Sequence, residues 1–103
     1  MEIAPSKVSN WIKDHKTFNW LDVRRLDERE ICSLGGFHIP LDQLEARFEE
    51  LPRDKKPLIV YCHHGVRSLY ATQFLKYNGF DALSLAGGID LWSLEIDPNI
   101  PRY

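Results

Sequence analysis

The residues best able to do chemistry stand together at Cys62-His63-His64-Gly65-Val66-Arg67. The cysteine follows the apolar run Leu58-Ile59-Val60-Tyr61, and a helix-forming stretch begins just after the arginine. A thiol at the end of a buried strand, on a turn opening onto a helix, sits where backbone N–H groups converge and the helix dipole is positive. Both effects favour a negatively charged sulfur. Gly65 frees the backbone to curl, so that successive amides make a nest for an anion held above the sulfur. Arg67 adds a permanent charge and a two-pronged fork suited to sulfur or phosphorus oxyanions. From Leu58 to Phe80 there is no Asp or Glu, where roughly three would be expected from composition, so this positive turn has no local neutraliser in sequence. A more acidic thiol is better ionised but less nucleophilic, with a Brønsted slope of about 0.4–0.5, so the net gain in attack is small. The turn reads instead as an anion-binding cradle. It holds an anionic donor, stabilises the departing oxyanion, and helps the sulfur leave when an acceptor attacks a persulfide on it.

His63 and His64 add titratable positive charge around such an anion. Adjacent side chains seldom close on one tetrahedral ion, and no Cys-x2-Cys or His-x3-His spacing accompanies them, so neither a metal nor another cofactor is expected. Cys32 lacks a comparable turn and reads as an incidental thiol of a reducing compartment. The charge run Asp27 to Glu30 reads as a solvated loop. Trp11, Trp20 and Trp92 lie within periodic apolar segments and read as core.

The elements that must position the turn follow from periodicity. Val8, Trp11 and Ile12 form the stripe of a helix over residues 6–14 that Ser6 can cap. Trp20 to Val23 reads as a short strand, and Phe37-His38-Ile39 as a brief one ended by Pro40. Leu41, Leu44, Phe48 and Leu51 describe an amphipathic helix stopped at Pro52. Leu58 to Tyr61 is a strand buried on both faces. A helix from about Ser68 to Asn78 follows, with Tyr70, Ala71, Phe74 and Leu75 as its apolar face and Asn78-Gly79 as its stop. Ala82 to Leu85 is the next strand, Gly87-Gly88 a turn, and Ile89 to Leu94 a short helix. Strands alternating with helices in this way predict an α/β fold with a parallel sheet, whose ligands bind beyond the carboxyl ends of the strands.

With 103 residues, 44% hydrophobic and 27% charged, the chain is expected to form one domain over 1–103, with no linker or repeat. No apolar run is long enough to span a bilayer, and the polar start lacks the core of a signal peptide, so a cytoplasmic protein is expected. A net charge of −2 argues against nucleic acid or an anionic membrane as partner.

Four motifs carry a family resemblance: Leu21-Asp22-Val23-Arg24; Phe37-His38-Ile39-Pro40-Leu41; Cys62-His63-His64-Gly65-Val66-Arg67-Ser68 after Ile59-Val60-Tyr61; and Leu85-Ala86-Gly87-Gly88-Ile89-Asp90-Leu91-Trp92. In this order and spacing the chain resembles a single-domain rhodanese from Ile3 to Tyr103. The resemblance implies a rhodanese-like α/β fold, a central parallel sheet of about five strands with helices on both faces. It implies that Cys62 carries a persulfide and that His63, His64, Gly65, Val66 and Arg67 form the substrate loop. Asp22 and Arg24 match a motif that is mainly structural, read as an ion pair organising the site, and His38 is a satisfied interior or rim histidine. The six-residue loop from Cys62 to Arg67 is similar to that of sulfurtransferases, whereas rhodanese-fold phosphatases and arsenate reductases carry seven residues. The stretch Ile31 to Pro40 departs from the family's usual Gly-His-Ile-Pro-Gly-Ala pattern. The implied activity moves sulfur from thiosulfate or a persulfide donor to cyanide or a thiol. The alternative is a persulfide carrier serving a partner enzyme in tRNA thiolation or cofactor biosynthesis, with a protein as sulfur donor or acceptor. A silent regulatory module is disfavoured by the presence of the cysteine.

Overall fold

A computed structural model describes residues 1–103. Leu58–Tyr61 is β4, every residue of it buried, and it lies at the centre of a five-stranded sheet. Its partners are β2 (Asn19–Asp22) and β5 (Ala82–Leu85); β3 (Phe37–His38) and β1 (Glu2–Ile3) form the two edges, in the order β1-β5-β4-β2-β3. All four pairings are parallel, with Leu21 opposite Val60 and Val60 opposite Ser84. Only an apolar strand can occupy a position covered by helices above and below.

The period of two along β4 divides the core. Leu58, Val60 and Cys62 join Leu21, Val23, Leu44, Ala71 and Leu75 on one face, while Ile59 and Tyr61 join Ile3, Val8, Leu85, Ile89 and Trp92 on the other. Helices α3 (Leu44–Arg47) and α4 (Val66–Tyr77) therefore cover the cysteine's face. Helices α1 (Pro5–Lys13) and α5 (Gly88–Glu95) cover the face of Tyr61. There Trp20 meets Tyr61 and Trp92 edge-on, each at 5.5 Å between ring centroids.

Several boundaries differ from those read in the sequence. Helix α1 starts at Pro5 after Ala4, with no side-chain cap, so Ser6 lies inside the first turn; the fixed φ of proline suits the first helical position. The expected helix after Pro40 is broken into a 3-10 turn, the single α-turn of α3 and a second 3-10 turn, although Leu44 and Leu51 are buried as their spacing required. Helix α4 begins at Val66, two residues before the expected Ser68, so Val66 and Arg67, the end of the Cys62 loop, also form its first turn. Its buried face is Ser68, Ala71, Thr72 and Leu75, and Tyr70 is 67% exposed. The run Asp27 to Glu30 is no solvated loop: it lies on α2 (Leu26–Ile31), which turns Glu28 inward.

Candidate active site

Cys62 leaves the carboxyl end of β4 with 1% of its surface exposed. Its Sγ accepts the Gly65 amide at 3.1 Å and the Ser68 amide at 3.3 Å. The sulfur thus takes the place of the side-chain oxygen that usually caps a helix, bonded to the third residue of α4. The thiol thereby satisfies the Ser68 amide, at the third position of α4, without a Ser or Asp cap. The amides of His64, Val66 and Arg67 find no protein acceptor at this helix start, leaving donors for an added sulfur or an anion.

Two glycines set the turn. Gly65 has φ +102°, where a side chain is strained, and a Cβ there would stand 3.2 Å from the Gly87 amide nitrogen. Gly88 has φ +63°, and a Cβ there would overlap the carbonyl groups of Cys62 and His63. That close approach lets the start of α5 hold the turn from behind, with the Ile89 amide on the Cys62 carbonyl at 2.9 Å and the Asp90 amide on that of His63 at 3.1 Å. Ser68 Oγ lies 3.4 Å from Sγ, donates to the Gly65 carbonyl at 3.2 Å and meets Ser84 Oγ of β5 at 2.8 Å.

The positive turn does have neutralisers in space. Arg67 grips Glu28 of α2 with both terminal nitrogens, at 2.6 and 2.9 Å. Those two bonds use two of its five N–H donors and leave three. Arg67 lines a hollow of about 340 Å³ with Val23, Arg25, Pro40, Leu41 and Asp42. The Arg67 bond holds the Glu28 carboxyl far below its usual range, at about 2, against its burial and with help from Tyr103. His64 is exposed, its Nε2 3.8 Å from Asp90, and with Gly65 and Val66 it lines a second hollow of about 380 Å³ beside Leu69 and Tyr70. His63 stacks on His64 at 3.8 Å and on Tyr103 at 3.9 Å, its Nε2 buried and unpartnered. Burial, then the charge of His64, pushes the His63 imidazole below its ordinary value.

Ligand atoms of His63, His64 and Asp90 lie within 4.8 Å of one another, the one group in the chain able to approach a metal. Asp90 is already bonded through both oxygens to Arg102, at 2.8 and 3.3 Å, and the two imidazoles lie against each other at 3.8 Å between centroids with 30° between planes. The arrangement is that of an ion-paired rim.

Beneath the site, Arg24 and Asp22 form a fully buried two-pronged pair at 2.9 and 2.8 Å. Arg24 also donates to the Cys32 carbonyl at 2.7 Å and to Tyr103 Oη at 3.0 Å. Burial opposes its charge, but these bonds outweigh that and raise its pKa. His38 donates through Nε2 to the Arg24 carbonyl at 2.7 Å, a satisfied histidine of the rim. Cys32 is a free thiol packed against the core on the other face of the sheet from Cys62. Sequence reasoning singled out Cys62 to Arg67 and the pair Asp22–Arg24. It missed Glu28, Asp90, Arg102 and Tyr103, none of which stands in a motif of the turn.

A doubly covered parallel sheet whose central strand ends in a buried thiol, cradled by the helix it caps, defines an α/β protein built around a cysteine loop. The chain belongs to the rhodanese-like domain family, which it matches over residues 4–95. It is similar to the probable adenylyltransferase/sulfurtransferase MoeZ of Mycobacterium tuberculosis, with 31% identity over 105 residues, covering 98% of this chain and 26% of that protein. It is also similar to the putative sulfur carrier protein YrkF of Bacillus subtilis, with 31% identity over 94 residues, 89% of this chain and 50% of that one. The chain spans half or less of the length of both. A rhodanese-related protein from Thermoplasma volcanium shares the fold at a TM-score of 0.79 and 31% identity, covering 97% of this chain and 94% of that one.

Proposed function

We propose that the chain is a sulfurtransferase that carries sulfane sulfur on Cys62. The Cys62 thiolate attacks the outer sulfur of thiosulfate or of a persulfide. A new S–S bond forms, the donor's S–S bond breaks, and sulfite or a thiolate departs with the electron pair. An acceptor such as cyanide or a thiol then attacks the outer sulfur, and the Cys62 thiolate leaves, restoring the starting state. The observation that carries this reading is the sulfur's own environment: two amides already bonded to Sγ and three more without an acceptor at the start of α4. Those donors stabilise charge on the added sulfur and on the departing oxyanion. Arg67, pinned by Glu28 but with donors to spare, draws the anionic donor to the mouth.

The test is intact mass after incubation with thiosulfate. The expected result is a gain of one sulfur atom on wild type, removed by cyanide or thiol, and no gain on Cys62→Ser. A wild-type protein that gains none, with any donor, refutes the reading.

The near-complete burial of Cys62 favours a second reading, a carrier that releases sulfur to a docked protein partner, and the resemblance to a putative sulfur carrier supports it. Loading would then proceed as above, while release to small acceptors would be slow until a partner protein is added.

A further inference from the structure

We infer that Tyr103 is a positioning residue of the Cys62 site, holding the loop at both of its ends. Its kinetic consequence rests on the sulfur-transfer reading above. Residues 96–103 lie beyond the stretch matched by the family, yet they fold back along α5 and reach the loop. The path is fastened at successive points. Ser93 Oγ donates to the Ile100 carbonyl at 2.6 Å, Cys32 Sγ to the Pro101 carbonyl at 3.4 Å, and Arg102 grips Asp90. Ile100 packs against the core on the face of Tyr61.

This path delivers Tyr103 to two groups. Its ring lies flat on His63, 3.9 Å between centroids and 6° between planes. With Nε2 of His63 buried and unpartnered, the place of that imidazole is set by its aromatic neighbours, His64 and Tyr103. The phenol donates to Glu28 Oε2 at 2.7 Å and accepts from Arg24 at 3.0 Å. Glu28 in turn holds Arg67. One side chain thus fixes the first residue after the cysteine by stacking and the last by way of Glu28. It also ties both to the buried Asp22–Arg24 pair.

Tyr103→Phe separates the two contacts, because it keeps the ring and loses the hydroxyl. Loading of Cys62 from thiosulfate, followed by quenching and intact mass over a range of donor concentrations, gives a half-saturation value and a limiting rate. Tyr103→Phe is expected to raise the half-saturation value about tenfold, the lower end of what a hydrogen bond to a charged group contributes, with the limiting rate within about twofold of wild type. Tyr103→Leu, which also loses the stack, is expected to lower the limiting rate as well. In Tyr103→Phe/Glu28→Gln the phenylalanine adds no more than about twofold to the effect of Glu28→Gln, since both act along one path. A Tyr103→Phe protein that loads like wild type, or effects that multiply in the double variant, overturns the inference. If wild type itself fails to load, the sulfur-transfer reading falls, and Tyr103 is still tested by alkylation of Cys62, read at its own peptide. Iodoacetate must then slow several-fold relative to neutral iodoacetamide in Tyr103→Phe, and an unchanged ratio overturns the inference.

Discussion

Glu28→Gln removes one charge from the clamp on Arg67 with almost no change of shape. Wild-type Glu28 is 4% exposed and accepts from Arg67, Tyr103 and the Arg25 amide. Its carboxyl lies at about 2 against an ordinary 4.5, chiefly through the Arg67 bond. At 1.36 kcal/mol per unit this difference corresponds to about 3 kcal/mol of folding stability, reduced to roughly 2 because Arg67 is partly exposed and water screens the pair. A depressed carboxylate pKa contributes stability that is fully present above the unfolded value and is lost as pH falls from there through the folded value. Urea denaturation is therefore expected to show Glu28→Gln less stable than wild type by about 2 kcal/mol at pH 7, with the gap closing between pH 4.5 and 2. The glutamine does not titrate in that window, so the narrowing comes from wild type alone. A gap that stays constant down to pH 2, or no gap at pH 7, refutes the argument that this ion pair ties the loop to α2.

Asp22→Asn leaves the Arg24 guanidinium fully buried beside a neutral amide and is expected to cost about 3–5 kcal/mol in the same denaturation assay. Gly65→Ala places a side chain at φ +102° for roughly 1–2 kcal/mol, while Gly88→Ala also meets two carbonyl groups, so thermal melting should fall clearly further for Gly88→Ala. His63 is pushed down by burial, so its NMR titration midpoint should lie below the ordinary value of about 6.5 and move up in Tyr103→Leu, which uncovers the ring. The sign for stability follows: the neutral folded form contributes fully above the unfolded value, and that contribution declines as pH falls below it.

The parallel sheet was legible because Leu58 to Tyr61 is apolar without interruption, and such a run fits the middle of a covered sheet. The position of Cys62 followed from the same strand. What could not be read were partners brought from far along the chain. Leu58 to Phe80 holds no carboxylate, yet Glu28 and Asp90 stand against its arginine and histidine. Glu28 was hidden in a run of charges because α2 is six residues long and leaves its apolar residues Leu26 and Ile31 exposed, so no stripe marks its inner side. Helix α4 misled in the other direction. Tyr70 sits at apolar spacing but faces water, while Ser68 and Thr72 turn inward, Ser68 to bond Ser84 and the turn. Its start was misplaced because cap recognition looks for an oxygen, and here the cap is sulfur.

The order of strands carries a consequence for biosynthesis. The groups that hold the turn in place around Cys62 come largely from residues later in the chain: Ser84 on β5, Gly88 to Asp90 at the start of α5, and Tyr103 on His63. Since β4 pairs on one side with β5, Cys62 has neither its neighbouring strand nor its cover until the residues after it have been made. A chain in which those elements are not yet docked therefore holds Cys62 as an exposed thiol, open to oxidants and mixed disulfides. Docking of β5 and α5 ends that exposure and fastens the turn from behind.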